Sequence, residues 1–251
     1  DTDYIVSISA VNEVGQGESA STNSFDFASP YNAASGGTET VVDDYNGTGE
    51  QWMVHTFTGS GTLDVVAAVQ PFRVLAVASG NGGVPMDGPY NGAGGTGGGV
   101  TDVSRNLTPS QISVVVGPGS GLTDIGSASS FSDVVASPGA GAGGGAPNVQ
   151  PSAGAVGSGG GTGPSSDITN TTEYYGSGGG GGGGAGSAQS PNGPGTYGRG
   201  GHGGNWSDNP TRGSGGSPGI VVVSYQIGVS TLAQIKVAQT VRKAELRKQQ
   251  L

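Results

Sequence analysis

The chain has 251 residues, of which 54 are glycine and 14 proline, and it has no cysteine, which excludes a disulfide framework and a cysteine-ligated metal site. Its formal charge of −9 is uneven, because residues 236–251 hold five of the nine Lys/Arg and one of the eighteen Asp/Glu, leaving a body at −13 and a tail at +4. An acidic body argues against phosphate-backbone binding, so no nucleic-acid partner is expected, and no apolar run approaches the ~18 residues of a spanning helix, so neither is membrane insertion.

Taken in order, residues 1–28 read as a hairpin: Tyr4, Val6, Ile8 and Ala10 alternate with Ile5, Ser7, Ser9 and Val11 before a Gly-containing turn and a second, polar strand. The order Y-x-V-x-I-x-A-V-N-x-x-G-x-G-x-x-S resembles the last two strands of a fibronectin type III module. A two-strand hairpin is marginal alone, so these residues are expected to close a module that begins upstream. A Pro/Gly/Ser-rich linker is expected over 29–50. In "QWMVHTFTGSGTLDVV" (51–66), Trp52, Val54 and Thr56 face one way and Met53, His55 and Phe57 the other, with GSG as the turn.

Further Val-rich blocks, "TLDVVAAV" (62–69), "FRVLAVAS" (72–79), "ISVVVG" (112–117) and "GIVVVSY" (219–225), read as strands. Glycines fill the intervals, 45 of the 54 falling between Gly80 and Gly219, which predicts a mainly β fold over 51–227: a small scaffold with glycine-rich insertions. The last residues, 228–251, contain strong helix formers, a capping box at Thr231 and Gln234, and basic residues toward the C-terminal end, and predict an α-helix. Its partial Val237–Val241–Ala244–Leu251 seam suits either a short coiled coil or a helix docked on its own domain.

The blocks "MVHTFTGSGTL", "VLAVASGNGG", "LTPSQISVVVGPG", "SSFS" and "GGSPGIVVVSY" occur in an order that resembles the glycine-rich domains of bacteriophage tail fibres and tail-tip adhesins, from about Trp52 to Tyr225. The resemblance implies that the glycine tracts stack as polyglycine II helices on the strands and that loops at the far end meet a host receptor. Physical chemistry agrees. A helix of the polyproline II type has three residues per turn and no internal hydrogen bonds, so neighbouring helices must supply the partners, and close packing leaves no room for a Cβ. The seven-glycine run Gly178, Gly179, Gly180, Gly181, Gly182, Gly183 and Gly184 is the candidate lattice segment. Residues 176–186 are therefore expected to be ordered by intersegment N–H···O bonds, and Gly181→Val is expected to cost far more than the same change at Gly36 in the linker. The other reading of the run is a flexible Gly/Ser linker.

Catalytic chemistry is poorly supplied. Asp43 and Asp44 are adjacent and read as a solvated turn rather than a carboxylate pair. His55 reads as structural, and His202 is a lone histidine on a glycine tract. With no Walker A lysine and no nucleophile elbow, no enzyme, metal or cofactor is expected. Binding chemistry is better supplied by the interruptions "VPMDGPYN" (84–91), "APNVQPSA" (146–153), "PSSDITNTTEYY" (164–175), "SPNGPGTYGR" (190–199) and "NWSDNPTR" (205–212). Their aromatic and guanidinium side chains make Tyr90, Tyr197, Arg199, Trp206 and Arg212 the receptor-binding candidates. Tyr174 and Tyr175 suit binding or capping of the lattice equally.

The expectation is a virion protein at the end of a phage tail. Its partners would be a bacterial surface receptor, either an outer-membrane protein or a polysaccharide, and other tail proteins, with a homotrimer by analogy to fibres. The rival expectation is a purely structural glycine-rich spacer.

Overall fold

The computed structural model describes residues 31–85, 92–139, 159–182, 194–204 and 213–229, together with the backbone of 7–8, 11–12, 15–16 and 20–21. The chain divides into two compact units, 1–30 and 31–251. In the first, β1 (Ser7–Ile8) pairs antiparallel with β4 (Ala20–Ser21), and β2 (Val11–Asn12) with β3 (Gly15–Gln16). The two pairs nest as the arms of one hairpin. The register slips by one residue between them, from Ile8↔Ala20 to Val11↔Gln16, as in a bulge.

The second unit is built on two five-stranded antiparallel sheets. The first sheet has the order β10 (Val100–Arg105), β9 (Phe72–Val77), β16 (Ile220–Val229), β7 (Glu50–Phe57), β6 (Thr38–Val42). The second runs β13 (Val134–Ala136), β12 (Ser129–Phe131), β11 (Ser110–Val115), β8 (Gly61–Ala67), β5 (Ala33–Ser35). Between them lies a core of Phe57, Leu63, Val65, Phe72, Val74, Val114, Phe131, Val221, Val223 and Tyr225. Each fully buried Leu, Val or Phe contributes about 1.5–3 kcal/mol.

The first sheet is buried on its other face as well. Leu75 and Val77 of β9, Val54 of β7, and Ile220 and Val222 of β16 form a second cluster with Ile168 and Tyr175, which come from an arm at 165–175. This arm carries β14 (Ser165–Ser166) paired with β15 (Glu173–Tyr174). Burial on both faces explains why β9 and β16 read as continuous apolar runs rather than alternating ones. The alternation expected in β7 holds, with Met53 and Phe57 against the inter-sheet core and Val54 against the outer cluster.

Two expectations need correction. Residues 29–50 are not a linker, because β5 and β6 lie within them and pair with β8 and β7. The β-branched run Thr38–Val42 extends the sheet as an edge strand, and the glycines before it are the bend between the two sheets. Gly36 is equally constrained: its φ is +131°, a Cβ there would strike the Thr62 carbonyl, and it is no permissive control for a lattice glycine. At the other end β16 continues to Val229, opposite Glu50, across an irregularity between Gln226 and Gly228. The helix expected over 228–251 therefore does not begin at 228, and 230–251 lie outside the described residues.

His55 is structural, as expected. It is fully buried, with Nδ1 2.7 Å from the Gly36 carbonyl and Nε2 3.1 Å from the Tyr225 hydroxyl. The Gly36 carbonyl accepts a hydrogen bond from Nδ1–H, while the Tyr225 hydroxyl lies within hydrogen-bond reach of both Nε2 and the Ala34 carbonyl, the latter at 3.1 Å. The Tyr225 hydroxyl in turn accepts the Ala34 N–H at 2.8 Å, joining the two sheets.

Candidate functional site: the strut bundle and its lateral cleft

From one end of the sandwich the chain continues as extended glycine-rich struts. Strut 78–84 leaves β9 and 92–99 returns into β10, while 198–204 goes out and 213–219 returns into β16. Residues 117–121 leave β11 and 124–127 return to β12. Strut 159–164 enters the arm and 175–182 leaves it.

Their hydrogen bonds repeat every three residues. Along 78–84, the N–H groups of Ala78, Asn81 and Val84 donate to the carbonyls of Gly99, Thr96 and Ala93. Those of Ser79 and Gly82 donate to Ser127 and Asp124, and those of Gly80 and Gly83 to Ser217 and Ser214, all at 2.9–3.0 Å. Successive residues thus address three different neighbours, which requires a backbone with three residues per turn. Strut 198–204 is as well connected: it accepts from 92–99 and 213–219 and donates to 78–84 and 175–182.

The run Gly178 to Gly182 is buried. Gly178 N–H donates to Gly161 at 2.8 Å, Gly179 N–H to Gly95 at 2.9 Å and Gly182 N–H to Gly92 at 3.0 Å. A Cβ on Gly179 would fall on the Gly201 carbonyl. Gly183 and Gly184 lie outside the described residues, as do 185 and 186. Within 176–182 these bonds run to other segments of the chain, and Gly176, with φ at +63°, is a bend and not part of a regular extended helix.

Side chains in the struts recur at a three-residue spacing, and several bond a neighbouring strut: Ser120 Oγ donates to the Gly80 carbonyl at 2.8 Å, and Ser214 Oγ accepts the His202 N–H at 2.8 Å. Arg199 and His202 are three residues apart and share one face of 198–204, Ala93 and Thr96 do so in 92–99, and Ser214 and Ser217 in 213–219. The tracts "AGGTGG", "RGGHGG" and "SGGS" carry this period in the sequence, a signal distinct from the collagen repeat.

Of the five receptor-binding candidates, Tyr197 and Arg199 are among the described residues. Tyr197 is half-buried and packs on the outer-sheet cluster at the base of the bundle. Arg199 follows it, with its carbonyl accepting Ser217 N–H at 2.7 Å and its Nε buried without a hydrogen-bond partner among the described residues. Tyr90, Trp206 and Arg212 lie outside the described residues. Their flanks do not: Val84, Gly92, Gly182 and Gly204 meet at the far end through Gly92 N–H to Gly204 (2.9 Å), Gly204 N–H to Val84 (2.8 Å) and Gly182 N–H to Gly92 (3.0 Å). From Gly198 to Gly204 the strut spans about 19 Å at ~3.1 Å per residue.

The arm at 165–175 is clamped to the sheet by Arg73, a residue the sequence did not single out. Its guanidinium donates to Asp102 at 2.8 and 3.0 Å, to Asp167 at 2.5 Å and to the Tyr45 hydroxyl at 3.3 Å. The hydrogen bond from Arg73 holds the Asp167 carboxyl below its usual range, against a smaller opposing effect of burial. Tyr45 stacks on Trp52 with ring centroids 4.5 Å apart, and burial raises its phenol. Asp44 is a turn residue, with φ at +54° and Oδ1 accepting the Gly49 N–H at 2.8 Å.

Beside the arm opens a cleft of about 410 Å³ lined by Glu173, Tyr174, Tyr175, Gly195, Thr196 and Tyr197. Tyr175 is 1% exposed and Tyr174 43% exposed, which separates two neighbours the sequence left equivalent: Tyr175 caps the outer cluster and Tyr174 faces out. The Tyr175 hydroxyl donates to Glu173 Oε2 at 3.0 Å. Burial, followed by the charge and hydrogen bond of Glu173, pushes the Tyr175 phenol well above its ordinary value.

No protein-family model matches the chain, and no curated protein matches it.

Proposed function

We propose that the chain is a non-enzymatic bacteriophage tail-fibre or tail-tip protein whose struts are polyglycine II helices presenting receptor-binding loops. The observation that carries this reading is the common far end of the bundle. The segments 86–91, 183–193 and 205–212 all depart from strut ends that are hydrogen-bonded there, and two of them carry Tyr90, Trp206 and Arg212. A multi-strut stalk whose hydrogen-bonded ends meet at one extremity suits recognition, since the base from which those segments leave is fixed before the partner arrives. The partner would be an outer-membrane protein or a polysaccharide of the host envelope. The first unit is read as the closing hairpin of a fibronectin type III module, and the assembly as a homotrimer alongside other tail proteins.

A second reading, a structural spacer, is favoured by one observation: Tyr175 and Tyr197 spend their rings on the outer-sheet cluster. Adsorption separates the two. Virions carrying Tyr90→Ala, Trp206→Ala and Arg212→Ala together are expected to assemble normally and adsorb poorly, with about thirtyfold lost for each true anchor. Tyr197→Ala with Arg199→Ala is expected to lower stability and leave receptor contact intact. Normal adsorption by the triple variant would leave the spacer as the function.

A further inference from the structure

We propose that the cleft walled by Glu173, Tyr174, Tyr175, Thr196 and Tyr197 binds an alkylammonium group, the cationic end of an amine-bearing ligand. This inference is independent of the tail-fibre reading.

Tyr174, Tyr175, Tyr197 and one carboxylate line the cleft, with Tyr174 as its exposed ring, and no basic side chain is among the described residues that form it. Aromatic faces attract cations, best when partly desolvated. Glu173 supplies the counter-charge: its Oε2 is fixed by the Tyr175 hydroxyl, and Oε1 has no hydrogen-bond partner among the described residues. Among the described residues Glu173 is in no ion pair, and Arg73, which anchors the same arm, is already paired with Asp102 and Asp167. An anion would be repelled here. An apolar ligand would strip water from an uncompensated carboxylate, and a neutral sugar would leave that charge unanswered.

The walls are preorganised. Gly176 N–H donates to the Tyr197 carbonyl at 3.1 Å, joining the two sides. Gly195 has φ at +96°, and a Cβ there would strike the Tyr174 carbonyl, so the sides meet backbone to backbone. Tyr175 is buried and cannot swing away, which leaves Glu173, Tyr174 and Thr196 as the accessible polar rim.

The test is a titration of the full chain with tetramethylammonium chloride, followed by saturation-transfer NMR on the ligand methyls, with methyl α-glucopyranoside as the neutral comparison. Saturable ammonium binding that weakens with added NaCl is expected, with no matching response to the glycoside. Glu173→Gln and Tyr174→Ala are each expected to weaken it by about fivefold or more, and Tyr174→Phe to retain it. Tyr174 is exposed, so its substitution tests the site even if Glu173→Gln disturbs the arm. Binding unchanged in Tyr174→Ala and Glu173→Gln, a saturable response to the glycoside instead, or no saturable response to the ammonium would each overturn the assignment.

Discussion

Asn81 is joined to Thr96 twice, through its backbone N–H to the Thr96 carbonyl at 2.9 Å and through its side-chain Nδ2 to Thr96 Oγ1 at 2.8 Å. The same amide accepts Gly126 N–H on Oδ1 at 2.8 Å, and the Asn81 carbonyl accepts Gly201 N–H at 2.9 Å. One side chain therefore completes the backbone pairing of two neighbouring struts. Asn81→Ala leaves the Gly126 donor unpaired in a partly buried place and is expected to cost about 1–3 kcal/mol. Asn81→Asp keeps an acceptor for Gly126 and loses the donor to Thr96. Urea unfolding is expected to rank wild type first, with both variants below it.

Crowding in the bundle gives a sharper contrast. Gly179→Ala places a methyl on the Gly201 backbone, where no rotamer change relieves the overlap. At Gly59, in the β7–β8 turn, a Cβ meets nothing within 4 Å. Gly179→Ala is expected to lose more than about 3 kcal/mol or to fail to fold, and Gly59→Ala to stay within about 1 kcal/mol of wild type. Similar denaturation midpoints for the two variants would remove steric exclusion as the reason for glycine in the run.

The arm clamp makes an acid-range prediction. Asp167 has its carboxyl lowered in the folded state by the Arg73 hydrogen bond, so its contribution is fully present above the unfolded value of about 3.9 and is lost as pH falls through the lower folded value. Because the Asp167 side chain is 45% exposed, solvent screening keeps the effect below about 1 kcal/mol. Wild type is expected to exceed Asp167→Asn in Tm by a few degrees at pH 7, with the gap closing below about pH 4. A gap that widens on acidification would show that the clamp does not act through this carboxylate.

Apolar density made part of the fold legible. The β7, β8, β9, β11 and β16 runs are visible in the sequence because their Val, Leu and Phe residues serve one or two buried faces. β6 and β10 were not visible: "TETVV" and "VTDVSR" are edge strands with exposed Thr, Glu and Asp, and their pairing is set by neighbours far along the chain. Of the strut bundle, the sequence made the run Gly178 to Gly182 conspicuous, but the wider rule, a side chain every third residue, lies in short tracts such as "RGGHGG". Tyr197 and Arg199 looked like loop residues because Pro and Asn precede them, yet they begin a strut. Arg73 gave no signal, since its partners Asp102 and Asp167 come from distant segments and only the fold brings them together.

The position of β16 bears on how the molecule is made. It lies between β9 and β7, so the two strands that frame the centre of the first sheet wait for a partner that emerges roughly 140 residues after β9. Until then β7 and β9 each present an unsatisfied edge, and strut 78–84 lacks its partner 213–219. Such pairing across long sequence separations folds slowly, because loop closure must precede the contacts that reward it. A ribosome-bound chain ending before residue 220 would hold those edges open, the state in which a chaperone gains its hold.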